Sequence, residues 1–116
     1  MPRENGNTSN LTESEKLALE EVMNALKNDW PNVKFKLFGS KVSGTFNAES
    51  DLDLLVMLPC QAVNGIRRQI VHKVFEINLL YETNISTLIV SEDEWHKAPL
   101  VLLPIHAFVE EEGIAL

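Results

Sequence analysis

One cysteine, Cys60, occurs among the 116 residues. An internal disulfide is therefore excluded, and the Cys/His spacings of a structural zinc site are absent as well. Aromatic residues make up only 7%. No stretch approaches the ~18 consecutive apolar residues of a membrane span. Met1 to Asn10 is polar and lacks the apolar core of an export signal, so the expected location is the cytoplasm. Positive charge is scarce, since 10 Lys and Arg stand against 17 Asp and Glu, for a formal net charge of −7. A dedicated nucleic-acid binder neutralises phosphates with clustered Lys and Arg, and this balance argues against that class. It leaves room for a nucleotide that arrives with a divalent cation, because acidic side chains attract the metal.

What is present is a globular composition: 45% hydrophobic and 23% charged residues, with only 5 Gly and 5 Pro. The length suits one domain. Residues 1–10 read as a flexible tail and 11–116 as a single domain. Thr12 and Glu15 have the spacing of a capping box, and Leu19, Val22, Met23 and Leu26 follow at helical spacing. Trp30-Pro31-Asn32 ends that helix. Val33, Phe35 and Leu37 alternate with Lys34 and Lys36, which predicts a strand with one wet face. Ser43-Gly44-Thr45 and Asn47 to Ser50 read as a short helical turn and a loop. Asp51 to Leu58 is a second strand, apolar on both faces through Leu54-Leu55-Val56-Met57-Leu58, and such a strand belongs inside a covered sheet. A helix over 63–81 carries Ile66, Ile70, Val74, Ile77 and Tyr81 on one stripe. Arg67, Arg68, His72 and Lys73 form its solvated face. Ile85 to Val90 predicts a third strand, Ser91 caps a short helix, and Pro104 opens a last helix that Gly113 closes. The order α-β-β-α-β-α-α predicts an α/β fold, a small mixed β-sheet flanked by helices. Glu110-Glu111-Glu112 at the end of the last helix opposes its macrodipole, and the sequence offers no reason for it unless a basic partner covers it.

The chemistry concentrates in Leu37-Phe38-Gly39-Ser40, ten further residues, and Asp51-Leu52-Asp53-Leu54-Leu55-Val56. Residues two apart on a strand project from the same face, ~6.5–7 Å apart. Asp51 and Asp53 therefore point the same way, and two close carboxylates repel each other unless a cation sits between them and the solvent. Mg²⁺ takes such hard oxygen ligands and completes its shell with water and phosphate oxygens. Two ions ~3.5–4 Å apart can hold both the attacking and the leaving oxygen of a phosphoryl transfer. A glycine directly after a strand lets backbone approach a ligand, and the Ser40 hydroxyl with the N–H groups of the turn suits phosphate. A P-loop is ruled out: Gly39 and Gly44 have its spacing, but Thr45 and Phe46 follow instead of Lys and Ser or Thr.

This segment resembles the signature of the DNA-polymerase-β-type nucleotidyltransferase superfamily, in which Gly-Ser, a spacer of about this length and Asp-x-Asp precede an apolar strand. The short chain is similar to its minimal, antitoxin-like members. The resemblance implies the nucleotidyltransferase fold, with Gly39 and Ser40 holding the triphosphate of ATP or another NTP. Asp51 and Asp53 would be the catalytic Mg²⁺ ligands, for one ion or two. Lys41 stands where many relatives carry Arg and would touch a phosphate. The implied reaction transfers a nucleoside monophosphate, AMP in the sharpest form, to an acceptor and releases pyrophosphate. A domain this short implies a partner, either a second copy or the helical HEPN protein of a toxin–antitoxin pair. One departure stands out. Active members place a third carboxylate on the next strand, but Ile85 to Val90 has none and Ser86 occupies that place, with Glu82 just upstream. The alternative reading is therefore a weak or inactive binding module acting by partner contact.

Overall fold

The computed structural model describes residues 10–43 and 51–116. The tail over 1–9 and most of the turn and loop expected over 43–50 lie outside the described residues. Helix α1 spans Glu13–Asp29 and opens as the capping box requires. Glu15 N–H donates to the Thr12 hydroxyl at 3.1 Å, and Thr12 N–H donates to the Glu15 carboxylate at 2.8 Å. Its buried stripe is Ala18, Leu19, Val22 and Leu26. Strand β1 (Lys34–Phe38) leads through Gly39 into a four-residue helix, α2 (Ser40–Ser43). Then come β2 (Leu52–Leu58), α3 (Asn64–Tyr81), β3 (Ile85–Ser91), α4 (Glu92–Trp95), a 3-10 turn at Leu100–Leu102, α5 (Pro104–Glu112) and β4 (Ile114–Ala115).

The four strands form one mixed sheet in the order β3-β2-β1-β4. β1 runs antiparallel to β2 with Phe38 opposite Asp53, and β3 runs parallel to β2 with Ser86 opposite Asp53. The expectation of an α/β fold with β2 inside the sheet is met, and every residue from Leu54 to Leu58 is buried. Because strand side chains alternate between faces, β2 feeds two separate cores. Leu52, Leu54, Val56 and Leu58 pack with Phe35, Leu37, Ile85 and Ile89 beneath α1 and α3, where Leu19, Val22, Ile70, Val74 and Ile77 meet them. Leu55 and Met57 pack with Phe38, Val90, Trp95 and Val109 on the other face. Asp53 has the parity of Leu55 and Met57, so it belongs to this second, thinner face and stands at its end.

Three features differ from the sequence reading. β4 has only two residues, too few for a period-two pattern to register. It forms because β1 offers an edge, pairing Lys36 with Ala115 and Leu37 with Ile114, while Leu116 N–H donates to the Phe35 carbonyl at 3.1 Å. The face of β1 expected to be wet carries Phe38 within the second core. Arg67, read as part of a solvated face, reaches back instead, donating from Nε to the Ala62 carbonyl at 2.7 Å and from the guanidinium tip to the Ile89 carbonyl.

One of the three acids at the end of α5, Glu110, has a local explanation. The Trp95 indole N–H donates to Glu110 at 2.6 Å, and Lys36 donates to the other oxygen of the same carboxylate at 3.2 Å. The indole bond, helped by Lys36, holds the Glu110 carboxyl below its ordinary value, against the opposing effect of burial. Glu110→Ala leaves the buried indole N–H without a partner, which is expected to cost about 1–3 kcal/mol in urea unfolding at neutral pH. A lowered folded-state value stabilises above the unfolded value, and that contribution disappears as pH falls through the lowered one. The gap between wild type and variant should therefore narrow in acid below the ordinary glutamate range, and an unchanged gap would contradict the assignment.

Candidate functional site

The site is assembled where β1 ends and β2 begins. The antiparallel register puts Phe38 beside Asp53, so the residue after Phe38 must pass over the Asp53 side chain. That residue is Gly39, whose φ is +92°. A β-carbon there would collide with the Asp53 carboxylate, with Cγ at 3.0 Å and Cβ at 3.2 Å from it. Only glycine supplies both the left-handed backbone and the missing atom. The Val42 N–H donates to the Gly39 carbonyl at 3.0 Å, closing the turn into α2. Ser40, half-buried, is the first residue of that helix.

Asp51 is exposed and Asp53 half-buried. Burial, and then the neighbouring Asp51 charge, push the Asp53 carboxyl above its ordinary value. Among the described residues neither acid forms an ion pair with a Lys or Arg. Two like charges held together and left without a basic partner carry a repulsion that a hard divalent cation would relieve. The donor set thus fits Mg²⁺, with water and phosphate oxygens needed to complete the coordination. No group of three or more metal-ligating side chains occurs among the described residues. The register explains this: the strand position facing Asp53, ~4.8 Å away across the ladder, is Ser86. Glu82 caps α3 in the left-handed conformation, with φ 56° and ψ 49°, and is exposed.

Of the residues singled out from sequence, the structure brings Gly39, Asp51 and Asp53 together, with Ser40 next in the turn. Lys41 goes elsewhere. Its ammonium is buried, 3.0 Å from the carboxylate of Glu15 in the first turn of α1, while the Asn10 side chain donates to the Lys41 carbonyl at 2.8 Å. Sequence reasoning used Glu15 for the capping box alone and missed this second bond. The signal was slight, one acid near the start of an amphipathic helix. Concavities of about 450 Å³ and 490 Å³ lie at the far ends of β2 and β3, around Pro59, Ser91 and Arg67. Their charged groups are already engaged: Glu94 accepts from the Ser91 N–H and Lys97 from its side pairs with Asp93. The carboxylate pair, whose charges are not balanced, is the stronger candidate.

Comparison with known proteins bears on the family and the fold. Residues 19–111 match the family model described as the nucleotidyltransferase domain. Among solved structures, one described as a toxin–antitoxin with AMP-PNP is 22% identical, covering 83% of this chain and 70% of that one with a TM-score of 0.55. A candidate nucleotidyltransferase from Sulfolobus solfataricus is 17% identical over 81% of each chain, with a TM-score of 0.54. A mutant of the toxin–antitoxin MntA–HpeT is 16% identical, covering 83% of this chain and 69% of that one with a TM-score of 0.55. At these identities the structures establish a shared fold. No curated protein sequence gives a match.

Gly39→Ala should destabilise the chain by about 1–3 kcal/mol through the left-handed backbone alone, and should displace the Asp53 carboxylate as well. Urea unfolding checks the first effect and cation titration the second; a variant as stable as wild type would mean the turn does not press on Asp53. Asp53→Asn should do the opposite. A carboxyl with a raised folded-state value costs stability above that value, and the cost is relieved as pH falls through it. In EDTA at neutral pH the variant is therefore expected to melt higher than wild type, with the difference shrinking as pH falls towards the ordinary aspartate value of 3.8. A lower melting temperature at neutral pH would contradict the repulsion.

Proposed function

The chain belongs to the nucleotidyltransferase domain family, and on that premise we propose that it transfers a nucleoside monophosphate from an NTP to an acceptor hydroxyl. The observation that carries this reading is the packing of Gly39 onto Asp53 beside Asp51, which joins a glycine turn to a carboxylate pair suited to a cation. Asp51 and Asp53 are the residues to hold Mg²⁺, as one ion or two. When bound, Mg²⁺ supplies positive charge to the triphosphate and to the departing pyrophosphate. The backbone N–H groups after Gly39 and the Ser40 hydroxyl orient the phosphates. The acceptor oxygen attacks the α-phosphorus, the bond to the pyrophosphate oxygen breaks, and the acceptor proton is released. The products are acceptor-O-NMP, pyrophosphate and a proton. Lys41, committed to Glu15, serves this site by pinning the turn to α1.

ATP is the favoured nucleotide and a partner protein the favoured acceptor. The support is the likeness to a toxin–antitoxin described with AMP-PNP and to MntA–HpeT. On this reading the chain is the antitoxin-like member of a cytoplasmic pair, acting on a helical HEPN-type partner by adding AMP. The binding-module reading is favoured by one specific observation, Ser86 in place of an acid beside Asp53. In it, nucleotide and partner still bind but transfer is weak or lost.

Incubation with α-labelled ATP, Mg²⁺ and a co-purified partner separates the two. Under the first reading, label moves to the partner, Asp51→Ala and Asp53→Ala abolish transfer, and Ser86→Asp raises the rate by about tenfold or more as a third carboxylate joins the site. Absence of label from wild type and from Ser86→Asp alike, with partner binding intact, leaves the module. Mg²⁺–ATP at 100 times its Kd should add about 2.7 kcal/mol of stability under either reading. A melting temperature unmoved by millimolar nucleotide would remove both.

A further inference from the structure

The outer face of α3 carries an apolar stripe that no other described residue covers. Val71, Phe75 and Leu79, each four residues apart, are 53%, 60% and 65% exposed. They lie opposite Ile70, Val74 and Ile77, which face the core. The stripe ends in charge: Arg68 stands seven residues before Phe75 and Glu82 seven residues after it. Both are exposed, and neither forms an ion pair among the described residues.

This order is its own mirror image with the signs reversed, and from it we infer that α3 is a two-fold interface between two copies of this chain. Laid antiparallel with Phe75 on Phe75, the two helices set Val71 of each against Leu79 of the other, and Arg68 of each against Glu82 of the other. A self-complementary patch of this kind is what an isologous contact requires. The helix ends support the same arrangement. α3 has no acid in its first turn and no base in its last, and its C-cap is an acid, so Glu82 opposes the dipole of its own helix. In the antiparallel pair Glu82 lies by the positive end of the other helix, and Arg68 by its negative end. The sheet face bearing Asp51 and Asp53 is on the far side of the molecule from α3, so the interface leaves both carboxylate sites open. The inference does not depend on the proposed transfer.

A helix of 18 residues is ~27 Å long, and one stripe buries less than the ~800 Å² per partner of a standard interface. The association is therefore expected to be reversible with concentration. Sedimentation velocity of the full chain, from low to high micromolar, should show monomer passing into dimer. Phe75→Glu should remain monomeric while its circular dichroism and melting stay as in wild type. R68E and E82R each turn two attractive pairs into repulsive ones and should weaken the dimer by roughly tenfold. The double variant R68E/E82R, and an equimolar mixture of the two single variants, should regain it. A wild-type chain that stays monomeric throughout, leaving the stripe to some other protein, overturns the inference. So does a dimer undiminished by Phe75→Glu, or a double variant no tighter than the singles.

Discussion

The arrangement of this molecule turns on the passage of the Gly39 backbone across the Asp53 carboxylate. It follows from the pairing of β1 with β2: once Phe38 sits opposite Asp53, the next residue has no route except over that side chain. A side chain at this point would force the two strands apart or drive the carboxylate away. The register of the sheet and the composition of the site are therefore one constraint, met by a single missing β-carbon and a left-handed φ. The parallel pairing of β3 continues it outward and sets Ser86 beside Asp53.

Much of this could be read from the sequence because the relevant signals are short-range. The Thr12–Glu15 box, the alternation of Val33, Phe35 and Leu37, and the unbroken apolar run of β2 each state a local preference that packing then honours. The Gly39-Ser40 and Asp51-x-Asp53 elements were legible as a candidate site because they fall at strand ends, and the geometry brings three of the four residues together. What the sequence could not show depends on distant partners. β4 exists because β1 has an edge, not because Ile114 and Ala115 prefer to be extended. Glu110 makes sense only once Trp95 and Lys36 are known to meet it, and Arg67 only once Ile89 lies within reach. In each case a long polar side chain finds a partner through tertiary contact, which periodicity does not encode.

The treatment of charge follows one pattern across the chain. Several cations are committed to acids elsewhere: Lys41 to Glu15, Lys36 to Glu110, Lys34 to Glu92 and Lys97 to Asp93. Among the described residues Asp51 and Asp53 have no such partner, and Asp53 is partly buried beside the Asp51 charge. On the proposed reading, the positive field for a triphosphate then comes from backbone dipoles and from the cation that the carboxylates collect, so anion recognition is conditional on the metal. That coupling suits a strongly acidic protein, which would otherwise repel a bare nucleotide.

The unequal cover on the two faces of the sheet has a dynamic consequence. The α1 and α3 side is a continuous core of long helices, whereas the other side rests on a four-residue helix, a 3-10 turn and a nine-residue helix, and the sheet ends at the two-residue edge strand β4. Local opening follows buried apolar contact, so amide hydrogen exchange should divide along the sheet plane. The amides of α1, α3 and β2 would be the last to exchange. Those of α5 and β4 would be released first, baring the β1 edge while the Gly39–Asp53 junction, anchored from the opposite face, stays closed.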